Sequence, residues 1–209
     1  MGGLLSRIMI HVKDTHFMAK LYFRYAAMNA GKSTALLQAA YNYEERGMAV
    51  VLFTAEIDTR DGTGTISSRL GLSRPAYTFN ANHSMAERIA HAQQSAWIAQ
   101  LACVLIDEAQ FLTKVQVEEL HRWAHSFDIP VMCYGLRSDF QGKAFEGSAT
   151  LLVLADDIEE MKTICECGNK ASMNARFTDE GERIREGSQV LIGGNTRYRA
   201  LCPDCFYGQ

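Results

Sequence analysis

The chain has 209 residues, about 1.4 domains at ~150 residues each, so one full domain plus a small appendage is expected. Lys+Arg number 21 against 24 Asp+Glu; the formal net charge of −3 excludes a global pull toward nucleic acid or anionic lipid. Three prolines exclude a long Pro-rich tail, and no apolar run approaches the ~18 residues of a membrane span.

Residues 1–17 read as a dispensable extension. Arg7 splits any signal-type apolar stretch, no small-residue cleavage site follows, and Met18 opens the first strand with nothing wasted before it. Gly2 and Ser6 match the myristoylation pattern M-G-x-x-x-S, a short pattern that arises often by chance. A cytoplasmic location is expected.

From Lys20 to about Leu154 strand and helix alternate. Lys20–Tyr25 predicts a strand; Ala35, Leu36, Ala39, Ala40 and Tyr43 then recur at helical spacing until Gly47. Met48–Thr54 predicts the second strand, and Asp58–Ser73, rich in Gly, Thr and Ser, a surface loop. Ser84–Gln100 predicts a helix and Leu101–Ile106 a third strand. Thr113 and Gln116 form a capping box that starts a helix with an apolar stripe at Val117, Leu120, Ala124 and Phe127. Val131–Leu136, after Pro130, predicts a fourth strand. Near-continuous apolar strands between helices indicate an α/β fold, a parallel sheet with helices on both faces. Beyond about Thr163 helical periodicity gives way to glycines, cysteines and short β segments at Gln189–Ile192 and Tyr198–Leu201.

Ala26-Ala27-Met28-Asn29-Ala30-Gly31-Lys32-Ser33 fits the phosphate-binding pattern G-x-x-x-x-G-K-[ST], with Ala26 in place of the first glycine. In such a loop, backbone N–H groups and the N-terminus of the following helix point at phosphate oxygens. Lys32 would bring positive charge to the β/γ phosphates and Ser33 a hydroxyl to Mg²⁺. Ala26 requires the first turn to accept a β-carbon. A chance Gly-Lys-Ser at a strand-to-helix turn is the alternative.

Val104-Leu105-Ile106-Asp107-Glu108-Ala109-Gln110 has the form of a Walker B strand, carboxylates following apolar residues where the strand leaves the sheet. Asp107 would hold Mg²⁺ opposite Ser33, and Glu108 would accept a proton from an attacking hydroxyl or water. An acidic turn alone is common; paired with Gly-Lys-Ser it points to nucleoside-triphosphate chemistry.

Cys103 and Cys133 sit in apolar runs as small buried hydrophobes. Cys165-x-Cys167-Gly and Cys202-x-x-Cys205 make two knuckles that would close a structural Cys₄ zinc site, although the first is one residue tighter than the usual spacing. Free or redox-active thiols are the alternative. His121 and His125 are spaced for a metal on a helix, but the sequence offers no third ligand, and they read as a solvated face.

In order along the chain stand A-M-N-A-G-K-S-T, T-A-E-I-D-T-R, D-E-A-Q-F, Y-G-L-R-S-D-F, K-T-I-C-x-C-G, V-L-I-G-G-N and a C-terminal C-x-x-C. Over residues 18–205 this set resembles the type II thymidine kinases, a family of cytosolic, zinc-containing homotetrameric enzymes. The resemblance implies an N-terminal extension (1–17), a P-loop kinase domain (18–159) and a zinc-binding lobe (160–209). It implies transfer of the ATP γ-phosphate to the 5′-hydroxyl of thymidine or deoxyuridine, in deoxynucleotide salvage, with inhibition by the end-product triphosphate. Glu108 falls where the family has its general base. Residues 26–33, Asp107, Ala109 and Gln110 match its ATP-binding positions, and Asp58 and Arg60 its D-x-R. Val190, Leu191, Ile192 and Gly193 correspond to the loop that holds the base, with Tyr198 beside it and Phe140 matching an aromatic that packs on the base. The implied partners are ATP and thymidine, with no nucleic acid and no membrane.

Two other readings stay open at this point. One is a nucleic-acid-dependent ATPase, since Asp-Glu-Ala-Gln resembles helicase boxes, although a second motor domain and a basic track are lacking. The other is a zinc module that senses nucleotide without turnover, against which Glu108 argues.

Overall fold

The computed structural model describes residues 19–60, 62–190 and 198–208. The extension 1–17 and the loop positions Leu191, Ile192 and Gly193 lie outside the described residues.

Six parallel strands form the central sheet: β1 (Leu21–Ala26), β2 (Ala49–Ala55), β5 (Tyr77–Phe79), β6 (Leu101–Ile106), β7 (Val131–Leu136) and β8 (Asp157–Glu160). Their spatial order is β5-β2-β6-β7-β1-β8. Successive residues of a strand point to opposite faces, and the core divides accordingly. Leu52, Cys103, Leu105 and Tyr134 face α1 (Lys32–Glu44), meeting Leu36, Leu37 and Ala40. Val51, Phe53, Val104, Ile106 and Cys133 face the other side. There α2 (Met85–Ser95), α3 (Lys114–Phe127) and α4 (Glu146–Leu154) cover them with Ile89, Leu120 and Leu151. Helices on both faces, as the sequence predicts, make these strands apolar in every position that counts.

The four predicted strands are present, and the structure adds two at the sheet edges. β5 has three residues, too few for a pattern. β8 reads Asp-Ile-Glu-Glu, and its carboxylates at Asp157 and Glu159 pair with Arg24 of β1 at 2.6 and 3.1 Å. Charge on an edge strand guards it against further pairing and hides it from a hydrophobicity reading. The expected loop Asp58–Ser73 contains part of a hairpin, β3 (Thr65–Ser67) against β4 (Ser73–Pro75), whose Ile66 is buried under α1. The capping box of α3 is present: Thr113 Oγ1 accepts from Gln116 N–H while Gln116 Oε1 accepts from Thr113 N–H. The stripe differs at one place. Phe127 is 61% exposed and Trp123 takes the buried position.

Beyond β8, the strands β9 (Thr163–Ile164), β10 (Lys170–Ala171), β11 (Met173–Phe177), β12 (Arg183–Ile184) and β13 (Tyr198–Leu201) build two small antiparallel sheets, closed by α5 (Pro203–Gly208). The segment expected as strand from Gln189 is irregular at Gln189 and Val190. This lobe has its own small apolar cluster, including Ala175, Phe177, Leu201 and Phe206. Among the described residues, no helix is long and apolar enough to cross a membrane.

Candidate active site

Three parallel strands deliver the candidate residues to one edge, because each ends at its carboxyl side in a functional turn. After β1 comes the loop 26–33, after β6 the pair Asp107–Glu108, and after β7 the segment leading to Phe140.

Ala26 is the last residue of β1, paired with Leu136, and its β-carbon is buried in the sheet. The chain is thus still in the sheet at Ala26, and the loop turns after it. Left-handed backbone falls at Asn29 (φ 66°) and Gly31 (φ 80°). Gly31 caps α1 with no side-chain hydrogen bond, and no acidic residue sits in the first turn. The helix N-terminus is thus left unclaimed by side chains, which suits an anion. Lys32 is buried, its Nζ donating to the Ala27 carbonyl at 3.1 Å, and burial holds its pKa below the usual lysine value.

Across the cleft, Ser33 Oγ donates to Asp107 Oδ2 at 2.7 Å. Burial first, then the neighbouring Glu108 charge, push the Asp107 carboxyl up. Glu108 adopts φ 52°, a strained conformation for a non-glycine residue, at the start of the 3₁₀ turn Ala109–Phe111. That turn is packed closely from behind: a β-carbon at Gly147 of α4 would stand 2.5 Å from the Leu112 carbonyl oxygen and 2.8 Å from that of Ala109. Gln110 completes the support, accepting from Leu136 N–H at 3.0 Å and donating to Glu108 Oε2 at 2.5 Å.

Arg60 joins the two halves of the site. Its guanidinium binds Asp58 through Nε and Nη2, each at 2.7 Å, and Nη2 reaches Glu108 Oε1 at 2.6 Å. Those carboxylates hold Arg60 above its ordinary pKa, the Asp58 hydrogen bonds contributing most. On one side of this group lies a polar cleft lined by Asn29, Gly31, Lys32, Ser33 and Asp107. On the other lies an apolar pocket lined by Phe111, Phe140, Phe145, Val190 and Tyr198. Met28, Asp58, Arg60, Glu108 and Leu136 line both. Gln110 lines the apolar pocket, whereas Ala109 borders neither cavity and Ala26, Ala27 and Ala30 serve as backbone of the loop.

Several residues of the site stand outside the roles that the motifs imply. Asn174 of β11 accepts from Met28 N–H at 2.8 Å and donates to the Ser138 carbonyl at 2.9 Å, tying the small lobe to the phosphate loop. Arg176, also on β11 and buried, stacks its guanidinium 3.7 Å from the centre of the Phe140 ring. It donates to the carbonyls of Ser188 and Glu186 at 2.9 and 3.5 Å, holding the chain that leads to Val190. Asp139 accepts from Gln189 Nε2 at 3.0 Å and fixes the same chain from the other side. Arg69, from the hairpin loop, hydrogen-bonds the Asn29 side chain and lines the polar cleft. An arginine on a hairpin is visible in sequence; its reach to the loop is not.

The four cysteines of the knuckles come together, their sulfurs within 4.8 Å of one another. Cys165 and Cys167 lie in the β9–β10 turn, Cys202 and Cys205 at the start of α5. The Cys205 N–H donates to Cys202 Sγ at 3.5 Å, and the Cys167 and Cys202 backbone N–H groups draw the Cys165 thiol down to about 7. The neighbouring sulfurs push the Cys205 thiol the other way, up to about 12. Four sulfurs gathered so closely are a donor set fit to hold a metal ion.

A thymidine kinase of Albidiferax ferrireducens is 58% identical over 190 residues, covering 91% of this chain and 93% of the relative. That of Chromobacterium violaceum is 55% identical, covering 91% and 99%. That of Escherichia coli K12 is 56% identical over 187 residues, covering 88% and 89%. The sequence profile described as Thymidine kinase matches residues 19–206, and the chain belongs to the thymidine kinase family.

Proposed function

We propose that the protein transfers the γ-phosphate of ATP to the 5′-hydroxyl of thymidine, and of deoxyuridine, giving the nucleoside monophosphate and ADP. The observation that carries this reading is the junction at Arg60 and Glu108, where a phosphate-type cleft and an apolar pocket share the Glu108 and Asp58 carboxylates and one guanidinium. The hydroxyl gives its proton to Glu108 as its oxygen attacks the γ-phosphorus, while the bond to the β-phosphate oxygen breaks and ADP leaves. Arg60 counters charge on the transferring group. Lys32, the loop amides of residues 26–33 and the N-terminus of α1 hold the triphosphate. Ser33 and Asp107, already hydrogen-bonded to each other, are the residues that would hold Mg²⁺, which supplies charge neutralisation to the phosphates.

Phe140 and Tyr198 would flank the base, and Val190 with Leu191, Ile192 and Gly193 would cover it, so that water is kept from the γ-phosphate. The lobe from 160 onward then serves the kinase domain 18–159 as its nucleoside-covering part, and its Cys165, Cys167, Cys202 and Cys205 hold structural zinc. A cytoplasmic homotetramer that binds neither nucleic acid nor membrane completes the reading.

Nucleoside-dependent ATP consumption with Mg²⁺ tests it, comparing thymidine, deoxyuridine, deoxycytidine and deoxyadenosine. Turnover and monophosphate with the first two alone is expected. ATP hydrolysis stimulated by nucleic acid and indifferent to nucleosides would replace this reading with a motor-type ATPase.

A further inference from the structure

A second group of ligating side chains lies at the opposite end of the sheet from the cleft. Asp156 sits beside Leu21, the first residue of β1, whereas the phosphate loop leaves from the last, about 17 Å away along a six-residue strand. His121 and His125 stand one turn apart on α3, their rings 4.7 Å centre to centre. Asp156, between α4 and β8, supplies the third group that the sequence did not reveal. His125 Nε2 lies 3.1 Å from Asp156 Oδ2, and His121 Nε2 lies 3.8 Å from Oδ1. The three ligand atoms are all within 4.8 Å of one another.

Two observations make this more than a pair of surface contacts. The carboxylate is oriented without help from the histidines: Leu21 N–H donates to Asp156 Oδ2 at 2.8 Å, and Asp156 N–H donates to the Leu21 carbonyl at 2.9 Å. Backbone anchoring of this kind is what fixes a metal ligand in place. All three side chains keep about a quarter to a third of their surface exposed, leaving the cluster open to an ion from solvent.

We propose that His121, His125 and Asp156 form a site for a borderline transition-metal ion such as Zn²⁺ or Ni²⁺. Ligand atoms about 2.1 Å from a tetrahedral ion lie about 3.4 Å apart, and each imidazole nitrogen stands near that distance from one carboxylate oxygen, His125 at 3.1 Å from Oδ2 and His121 at 3.8 Å from Oδ1. Two imidazoles and one carboxylate favour these ions over Mg²⁺ or Ca²⁺, which prefer all-oxygen shells. Water would fill the remaining positions, one on tetrahedral Zn²⁺ and more than one on a higher-coordinate Ni²⁺. The bound ion ties α3 to the β1–β8 edge, and thus stabilises the sheet remote from the chemistry.

The test uses the full chain with its cysteine site first saturated with zinc and the zinc content measured. Calorimetric titration with Ni²⁺ is expected to show one further equivalent per chain, with a rise in the thermal midpoint. His121→Asn and His125→Asn are each expected to lose that equivalent while keeping the cysteine-bound zinc and wild-type circular dichroism. Asp156→Asn, which retains an oxygen for Leu21 N–H, is expected to weaken binding about ten-fold or more. If the zinc-saturated wild type takes up no further Ni²⁺, or the histidine variants bind it equally, the cluster is an ion pair only.

Discussion

Nη2 of Arg60 lies 2.6 Å from Oε1 of Glu108, so the proposed proton acceptor is held by the same guanidinium that lines the polar cleft. A neutral amide at 108 keeps an oxygen for Arg60 but has no site for the proton. Glu108→Gln is therefore expected to lower kcat about 10²- to 10³-fold while leaving ATP affinity close to wild type. Rapid-quench kinetics together with equilibrium binding of a non-hydrolysable ATP analogue separates the two effects. Equal turnover in the variant would remove Glu108 from the acid–base role.

Arg176 offers a different kind of test, because it supports the pocket without lining it. Its stack on Phe140 and its bonds to Ser188 and Glu186 set both an aromatic wall and the approach to Val190. Gly187 belongs to the same device: at φ 131° a β-carbon would meet Arg176 Nη2 at 2.7 Å. Arg176→Met keeps much of the volume and loses the donors. The KM for thymidine is expected to rise about ten-fold, equivalent to ~1.4 kcal/mol, with the KM for ATP little changed. A parallel rise in both constants would mean that the residue stabilises the lobe in general.

Gly147 tests the support beneath Glu108. A methyl group there meets three backbone carbonyls, at 2.5, 2.8 and 3.0 Å, none of which is the end of a flexible side chain. Gly147→Ala gains helix propensity of ~1 kcal/mol, but α4 must move away from the 3₁₀ turn to fit. A net loss of about 1–3 kcal/mol is expected in urea unfolding, with a fall in kcat as Glu108 shifts. A more stable variant would show that the contact yields easily.

The sheet was legible wherever a strand is buried on both faces: Leu101–Ile106 and Val131–Leu136 match the sequence reading to the residue. The edges were not, since three residues, Tyr77–Phe79, are too few to show a period and the strand Asp157–Glu160 reads as acidic. At the site, the loop 26–33 and Asp107–Glu108 announce themselves because each is local in the chain. Asn174 and Met28 are 146 positions apart, and His125 and Asp156 are 31. Contacts of that kind come from the crossing of the chain over the sheet, and no spacing rule contains them. Ala26, the departure from the motif, is still paired with Leu136 in the sheet, so the turns of the loop fall after it.

The small lobe gives the last prediction, through the weakness of its core. Its buried apolar cluster is built around Ala171, Ala175, Phe177, Leu201 and Phe206, with Cys165 and Cys202 completing it. So little apolar surface does not hold such strands together unaided, and below about 70 residues a metal or disulfide staple is a common remedy. With a metal bound by the four cysteines, binding free energy becomes folding free energy for the lobe. Cys202→Ser, or removal of the metal by a strong chelator, is expected to open the lobe between residues 160 and 206 to proteolysis while the six-stranded sheet stays folded. Thymidine binding should be lost with it, since Tyr198 and Val190 leave the pocket. ATP binding should weaken less, through the loss of the Asn174 bond to Met28 N–H. Zinc analysis, limited proteolysis and the two binding constants measured on one preparation distinguish these effects. Full thymidine affinity in metal-free protein would mean that the apolar cluster suffices.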